Sequence, residues 1–209
     1  MSRKARGFPL RFAVAITLTS ACLGGHAAEH GYAGARAGGV YSHDACEPQA
    51  TSCGNTAVGG GLFAGYQVNS WLALELGYED LGKITADYPA LGQPAVLARY
   101  TGEMQGFEIA ARPFWQLQGN IALFSKIGTL SWRMHVRGEE PTFVHEASDN
   151  GWSLLLGAGA EYTFDRRWSA RLEYQWIDNV GGSSTGGTGV SFASVGVAYH
   201  FGSGAVTSR

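Results

Sequence analysis

The chain has 209 residues, enough for one domain, with 31 glycines, 12% aromatic residues and only 15% charged residues. Soluble domains carry about 25% charge, so this composition points away from an ordinary soluble fold. The formal net charge of −2 offers no basic surface and excludes nucleic acid as an expected partner.

The first element reads as a secretory signal. Arg3, Lys4, Arg6 and Arg11 precede the short apolar run Phe12–Leu23, and Gly25-His26-Ala27 supplies small residues at a cleavage site, placed after Ala27. A membrane anchor would need roughly 20 apolar residues, and this run is shorter and holds Thr17, Thr19 and Ser20. A lipoprotein attached at Cys22 is disfavoured by Thr19, where such a motif wants Leu. Residues 28–209 are then the mature domain, with 11 Lys and Arg facing 17 Asp and Glu for a net charge of −6. No later run has 18 apolar residues, so an exported chain is either soluble or a transmembrane β-barrel.

Eight strands follow from period-two alternation. They are placed at Gly31–Tyr41, Val58–Gln67, Trp71–Glu79, Gly102–Trp115, Asn120–Met134, Asn150–Phe164, Trp168–Asp178 and Val190–Phe201. The connections alternate between short turns and long loops, the loops being Tyr41–Ala57, Asp80–Thr101, His135–Asp149 and the shorter Asn179–Gly189. That asymmetry predicts an all-β, eight-stranded antiparallel up-and-down transmembrane barrel. A soluble barrel would show the inverse, an apolar interior and a polar exterior.

Parity assigns the inside. Leu72, Leu74, Leu76 and Tyr78 form one apolar face, so Glu75 points in; Phe107, Ile109 and Ala111 do the same for Glu108 and Arg112. Lys126, Glu161, Arg171 and Glu173 lie opposite apolar faces of their own strands, and Arg36 opposes Ala33, Ala35 and Ala37. Four basic and four acidic groups in a narrow lumen must pair, because an isolated buried charge is very costly. An eight-stranded interior is filled by side chains, which predicts a plugged lumen. The network reads as structural glue, or as a gate whose pairs exchange partners. Aromatics near strand ends, Tyr32, Tyr41, Trp71, Tyr78, Trp115, Trp152, Trp168, Trp176 and Tyr199, are expected in interfacial girdles.

These residues carry a family likeness. Gly65-Tyr66-Gln67-Val68-Asn69 with Leu74-Glu75-Leu76-Gly77-Tyr78 and Leu81-Gly82 resembles the second and third strands of the OmpA-like transmembrane domain. Arg171-Leu172-Glu173-Tyr174-Gln175-Trp176 resembles its seventh strand, and Val195-Gly196-Val197-Ala198-Tyr199-His200-Phe201-Gly202 its last. The resemblance implies a lumenal salt-bridge cluster on or near Arg36, Glu75, Arg112 and Glu173. It places a further basic partner near the loop before the last strand, but Gly181–Gly189 holds no Arg or Lys. Arg171 or Lys126 is the substitute, or Glu173 pairs differently. Full-length members continue into a peptidoglycan-binding domain; this sequence stops eight residues after Phe201, so the expectation is a barrel alone. The closing aromatic resembles the signal read by the barrel-assembly machinery.

Among the remaining chemistry, Cys46 and Cys53 are expected to form a disulfide in an oxidising compartment. The rival is a zinc site with His43 and Asp44, which lacks a Cys-x-x-Cys spacing. A lipid-modifying enzyme would need a nucleophile, a base and an orienting acid in reach. His145 has Glu146 beside it, but neighbours on a strand diverge, and His200 faces inward beside no evident serine. No catalytic, metal or cofactor site is expected. The expected protein is a monomeric structural barrel of a Gram-negative outer membrane, in contact with its lipids and lipopolysaccharide, with a small gated pore as an added role. The alternatives are a surface adhesin or ligand-binding protein acting through its loops, and then the lipid-modifying enzyme.

Overall fold

A computed structural model describes residues 30–202 apart from positions 44, 47, 49, 91, 92 and 118. The signal segment expected at 1–27, with Cys22, lies outside the described residues, as does Asp44. Among the described residues there are nine strands: β1 Gly31–Ser42, β2 Ser52–Cys53, β3 Thr56–Gln67, β4 Leu72–Ala90, β5 Gln93–Gln116, β6 Ile121–Glu139, β7 Val144–Asp165, β8 Trp168–Gly182 and β9 Gly186–His200. Eight pair antiparallel in the order β4-β3-β1-β9-β8-β7-β6-β5, and β4 pairs with β5 to close the ring. Closure leaves no open edge through the lipid, the condition a spanning sheet must meet. The two-residue β2 lies outside the ring, against Ala86 and Asp87 of β4.

The lipid face follows from exposure. Leu62, Leu74, Leu76, Phe107, Ile109, Ile127, Leu172, Val195 and Val197 are exposed while their chain neighbours are buried or half-buried. Trp71, Trp115, Tyr162, Trp168 and Phe201 stand exposed at the end with the short turns, and Tyr41 and Trp152 toward the other end. Interfacial aromatics prefer these two levels. Along β6 the outward residues change from Ile121, Leu123 and Ile127 to Arg133 and Arg137. That switch marks where the strand leaves the lipid.

The strands are longer than the sequence predicts. Asp80–Thr101, His135–Asp149 and Asn179–Gly189, expected as loops, are largely the continuing arms of the β4–β5, β6–β7 and β8–β9 hairpins. The apolar alternation stops at the membrane surface, but the backbone ladder does not. Exposed ion pairs replace apolar contacts there: Lys83 with Glu103 at 2.5 Å, Arg99 with Asp87 at 3.0 Å and Arg137 with Glu146 at 3.1 Å. The connection after β1 carries the two-residue β2, and the Cys46–Cys53 disulfide lies within it.

The interior has three layers. At the end with the short turns, Tyr32, Phe63, Phe114 and Phe124 form an aromatic layer. Charged groups fill the middle. Toward the long hairpins, Val40, Leu81, Leu130, Trp132, Leu155, Ile177, Val190 and Phe192 pack as an apolar layer. This corrects the expectation of a polar interior throughout. Tyr32, expected in a girdle, is 4% exposed and inside the lumen. Gly151 makes room for the indole of Trp132, because a Cβ there would lie 2.7 Å from its ring.

Candidate functional site: the lumenal ion-pair layer

Each inward charge is carried by a strand whose other face meets lipid, so the alternation that satisfies the membrane also aims the charges at one another. Arg36 (β1), Glu75 (β4), Glu108 and Arg112 (β5), Lys126 (β6), Glu161 (β7), and Arg171 and Glu173 (β8) are all buried in the middle of the barrel. Lys126 Nζ lies 2.6 Å from Glu173 Oε1, 2.9 Å from Glu75 Oε2 and 3.2 Å from Glu108 Oε1. Arg171 spans Glu75 Oε1 at 2.8 Å and Glu161 Oε2 at 3.3 Å. Arg112 pairs with Glu161 and stands 3.6 Å from Glu75.

Arg36 completes the layer, with Glu108 at 2.9 Å, Glu173 at 3.3 Å and a contact to Glu79. Glu79 is fully buried and was not among the predicted members. It lies two steps beyond Gly77 on the inward parity of Glu75, at the position where the sequence reading ended the strand. Two neutral groups join. Gln175 donates to Glu108 at 3.1 Å and Glu173 at 3.0 Å, and the Tyr32 hydroxyl donates to Glu75 at 2.7 Å.

Glu173 needs no basic residue in the β8–β9 loop. Lys126 and Arg36 hold it from β6 and β1, with Arg171 at 3.7 Å on its own strand. The guanidinium groups also rest on the aromatic layer: Arg112 lies 4.1 Å from the Phe124 ring centre and Arg171 4.4 Å from that of Phe63. Planar guanidinium groups stack on rings as an ammonium cannot, so the arginines sit over the rings and the lysine among the carboxylates.

His200 does have a serine beside it, contrary to the sequence reading. Ser169 Oγ is 3.0 Å from His200 Nε2 and donates to Glu161 Oε1 at 2.8 Å, while Nε2 is 3.3 Å from the same carboxylate. Register explains the oversight: Ser169 pairs with Ala198 across β8–β9, next to His200 on the inward face. A hydrolytic relay uses both ring nitrogens, one for the nucleophile and one for the acid. Here serine and acid meet the same nitrogen, so the trio is a hydrogen-bonded brace. It borders a recess of about 60 Å³ with Arg112 and Phe114.

A cage of buried charges between an aromatic and an apolar layer, inside a closed ring with a lipid-facing exterior, invites comparison with known barrels. Residues 26–205 match the OmpA-like transmembrane domain. The chain belongs to that family. Outer membrane protein A of Yersinia pseudotuberculosis is 34% identical over 149 residues, covering 69% of this chain and 40% of the relative. That of Shigella flexneri is 30% identical over 177 residues, covering 83% and 49%. The chain therefore spans less than half the length of these relatives. In fold it is similar to Neisserial surface protein A, with a TM-score of 0.59 at 13% identity, covering 81% of this chain and 96% of that one. The OmpA-like chain is thus an integral β-barrel of a Gram-negative outer membrane, set among its lipids.

Proposed function

We propose that this barrel is a sealed scaffold that contributes to envelope integrity and does not conduct by rearranging its salt bridges. The observation that carries this reading is the apolar layer stacked on the charged one. Exchange of partners among Arg36, Lys126 and the carboxylates would open the middle of the lumen only. Ions would still meet Leu130, Leu155, Ile177 and Phe192, each 0% exposed, and a dry apolar constriction blocks ions by desolvation. The charged layer then acts as glue that ties six strands together.

As partners we infer membrane lipids and lipopolysaccharide along the outer wall, and the barrel-assembly machinery during insertion; the closed ring supports a monomer. The Ser169–His200–Glu161 geometry supports a role without catalysis. The test is planar-bilayer recording of the refolded protein, Glu75→Ala, Arg112→Ala, and Arg112→Ala combined with Trp132→Ala and Phe192→Ala. The seal predicts silence from the native chain and both charge variants, with current steps when an apolar-layer change is added to Arg112→Ala. Discrete openings from either charge variant alone would restore the gate.

A further inference from the structure

Above the apolar layer, the inner walls of the extracellular hairpins enclose a cavity of about 730 Å³. Small-molecule sites span about 300–1,000 Å³. Its lining includes Met134 and Val136, which pack with the apolar layer, so the cavity is a cup seated on that layer.

The chemistry of the walls is uneven. On the β4–β5 side, Ile84 is apolar and Tyr88 meets Tyr100 edge to face, with ring centres 5.5 Å apart at 89°. Gly138 on β6 gives the Tyr100 ring its place, since a Cβ there would lie 2.5 Å from it. The Tyr100 hydroxyl donates to Glu140 Oε1 at 2.8 Å. That bond holds the Tyr100 proton, raising its pKa above the ordinary tyrosine value. Glu140 is 9% exposed at the head of the β6–β7 turn, where its amide bonds to Phe143 O at 3.0 Å. Across the mouth, Ser184 and Thr185 offer polar groups, both held by Asp149 at 3.0 and 3.1 Å.

Among the described residues no Lys or Arg lines the cup. The nearby basic groups are turned outward, Arg99 to Asp87 and Arg137 to Glu139 and Glu146. His145 borders the cavity while Glu146, next on the strand, does not. Ring faces carry negative potential, and a carboxylate beside them in a half-enclosed site adds to it. An anion would find no Lys or Arg to pair with among the described lining residues. The apolar walls would leave much of a sugar without hydrogen-bond partners.

We propose that this cup binds a small organic cation with an apolar body, its charge between the Tyr88–Tyr100 pair and Glu140. The cup's wall is fixed in part by the Cys46–Cys53 disulfide, because Cys53 lines it and pairs with Ala86. The site is independent of whether the lumen below conducts.

The test is calorimetric titration of the protein in zwitterionic lipid nanodiscs with benzyltrimethylammonium, benzyl alcohol and benzenesulfonate. Expected are saturable one-to-one binding of the cation, binding about tenfold weaker for the alcohol, and none for the sulfonate. Glu140→Gln should weaken the cation about tenfold, while Glu146→Gln on the outer face leaves it unchanged. Gel migration of unboiled samples verifies folding of each variant. Tyr88→Leu, which spares the Tyr100–Glu140 bond, gives a second reading if Glu140→Gln does not fold; it too should weaken the cation. Absence of saturable cation binding, equal affinity for the sulfonate, or full binding by folded Glu140→Gln or Tyr88→Leu overturns the proposal.

Discussion

Lys126 holds three carboxylates with one ammonium group. Lys126→Met would leave Glu75, Glu108 and Glu173 with fewer counter-charges in a dry interior. Breaking one partner out of a buried charged network costs about 3–5 kcal/mol, which urea unfolding from lipid vesicles would measure. Glu79 differs. Among the described residues its one ion pair is with Arg36, and its Oε2 has no hydrogen-bond partner there. Among the described residues the layer sets five glutamates against Arg36, Arg112, Lys126 and Arg171. Glu79→Gln brings the charges level and should cost under about 1.5 kcal/mol. If Glu79→Gln proves the costlier of the two, charge balance is not what governs the layer. The inward charges are legible in the sequence because lipid forces the opposite parity to be apolar. Tyr32 was not legible. Tyr32 shares the parity of Arg36, which turns it inward, but an aromatic at a strand end also fits an interfacial girdle, and the short Ala and Gly side chains of β1 give the alternation little contrast.

At the scale of elements, the hairpins show where alternation stops carrying information. Above the lipid both faces of a strand are free to be polar, and the sequence then looks like loop while the ladder continues. The apolar layer was hidden for a related reason. Leu130 and Trp132 keep the parity of inward Lys126, and Val190 and Phe192 that of inward Ser194 and His200, but each looks like an apolar residue displaced from the lipid face. Gly151→Val tests that layer directly. The added side chain would push the Trp132 indole from its seat and break its 2.8 Å bond to Ser153, costing roughly 1–3 kcal/mol by overpacking. A red shift of tryptophan emission at unchanged far-ultraviolet dichroism would report it. The disulfide acts on a smaller unit. Closing so short a loop contributes about 2–3 kcal/mol in the chain-entropy model. In Cys46→Ser/Cys53→Ser the loss should stay local. Hydrogen exchange should quicken at the amides of Thr51 and Gly54, which bond to Asp87 and Thr85, and not in β6 to β8.

For the whole molecule, fold class and membrane address follow from one physical fact, that a closed ring of strands satisfies every backbone group in lipid. The barrel should therefore run anomalously on gels until boiled, and a single heat-independent band would contradict a closed ring. The same ladder has a mechanical consequence beyond the bilayer. β5 has 24 residues, about twice the 9–11 that lipid requires. What stands above the membrane is thus a stiff palisade, not a fringe of loops. A protease added to intact cells would find purchase only at the hairpin tips. Antibodies raised against the folded barrel would recognise shapes that vanish on boiling. Changes at the tips would alter what the cell displays without disturbing the wall that holds them up.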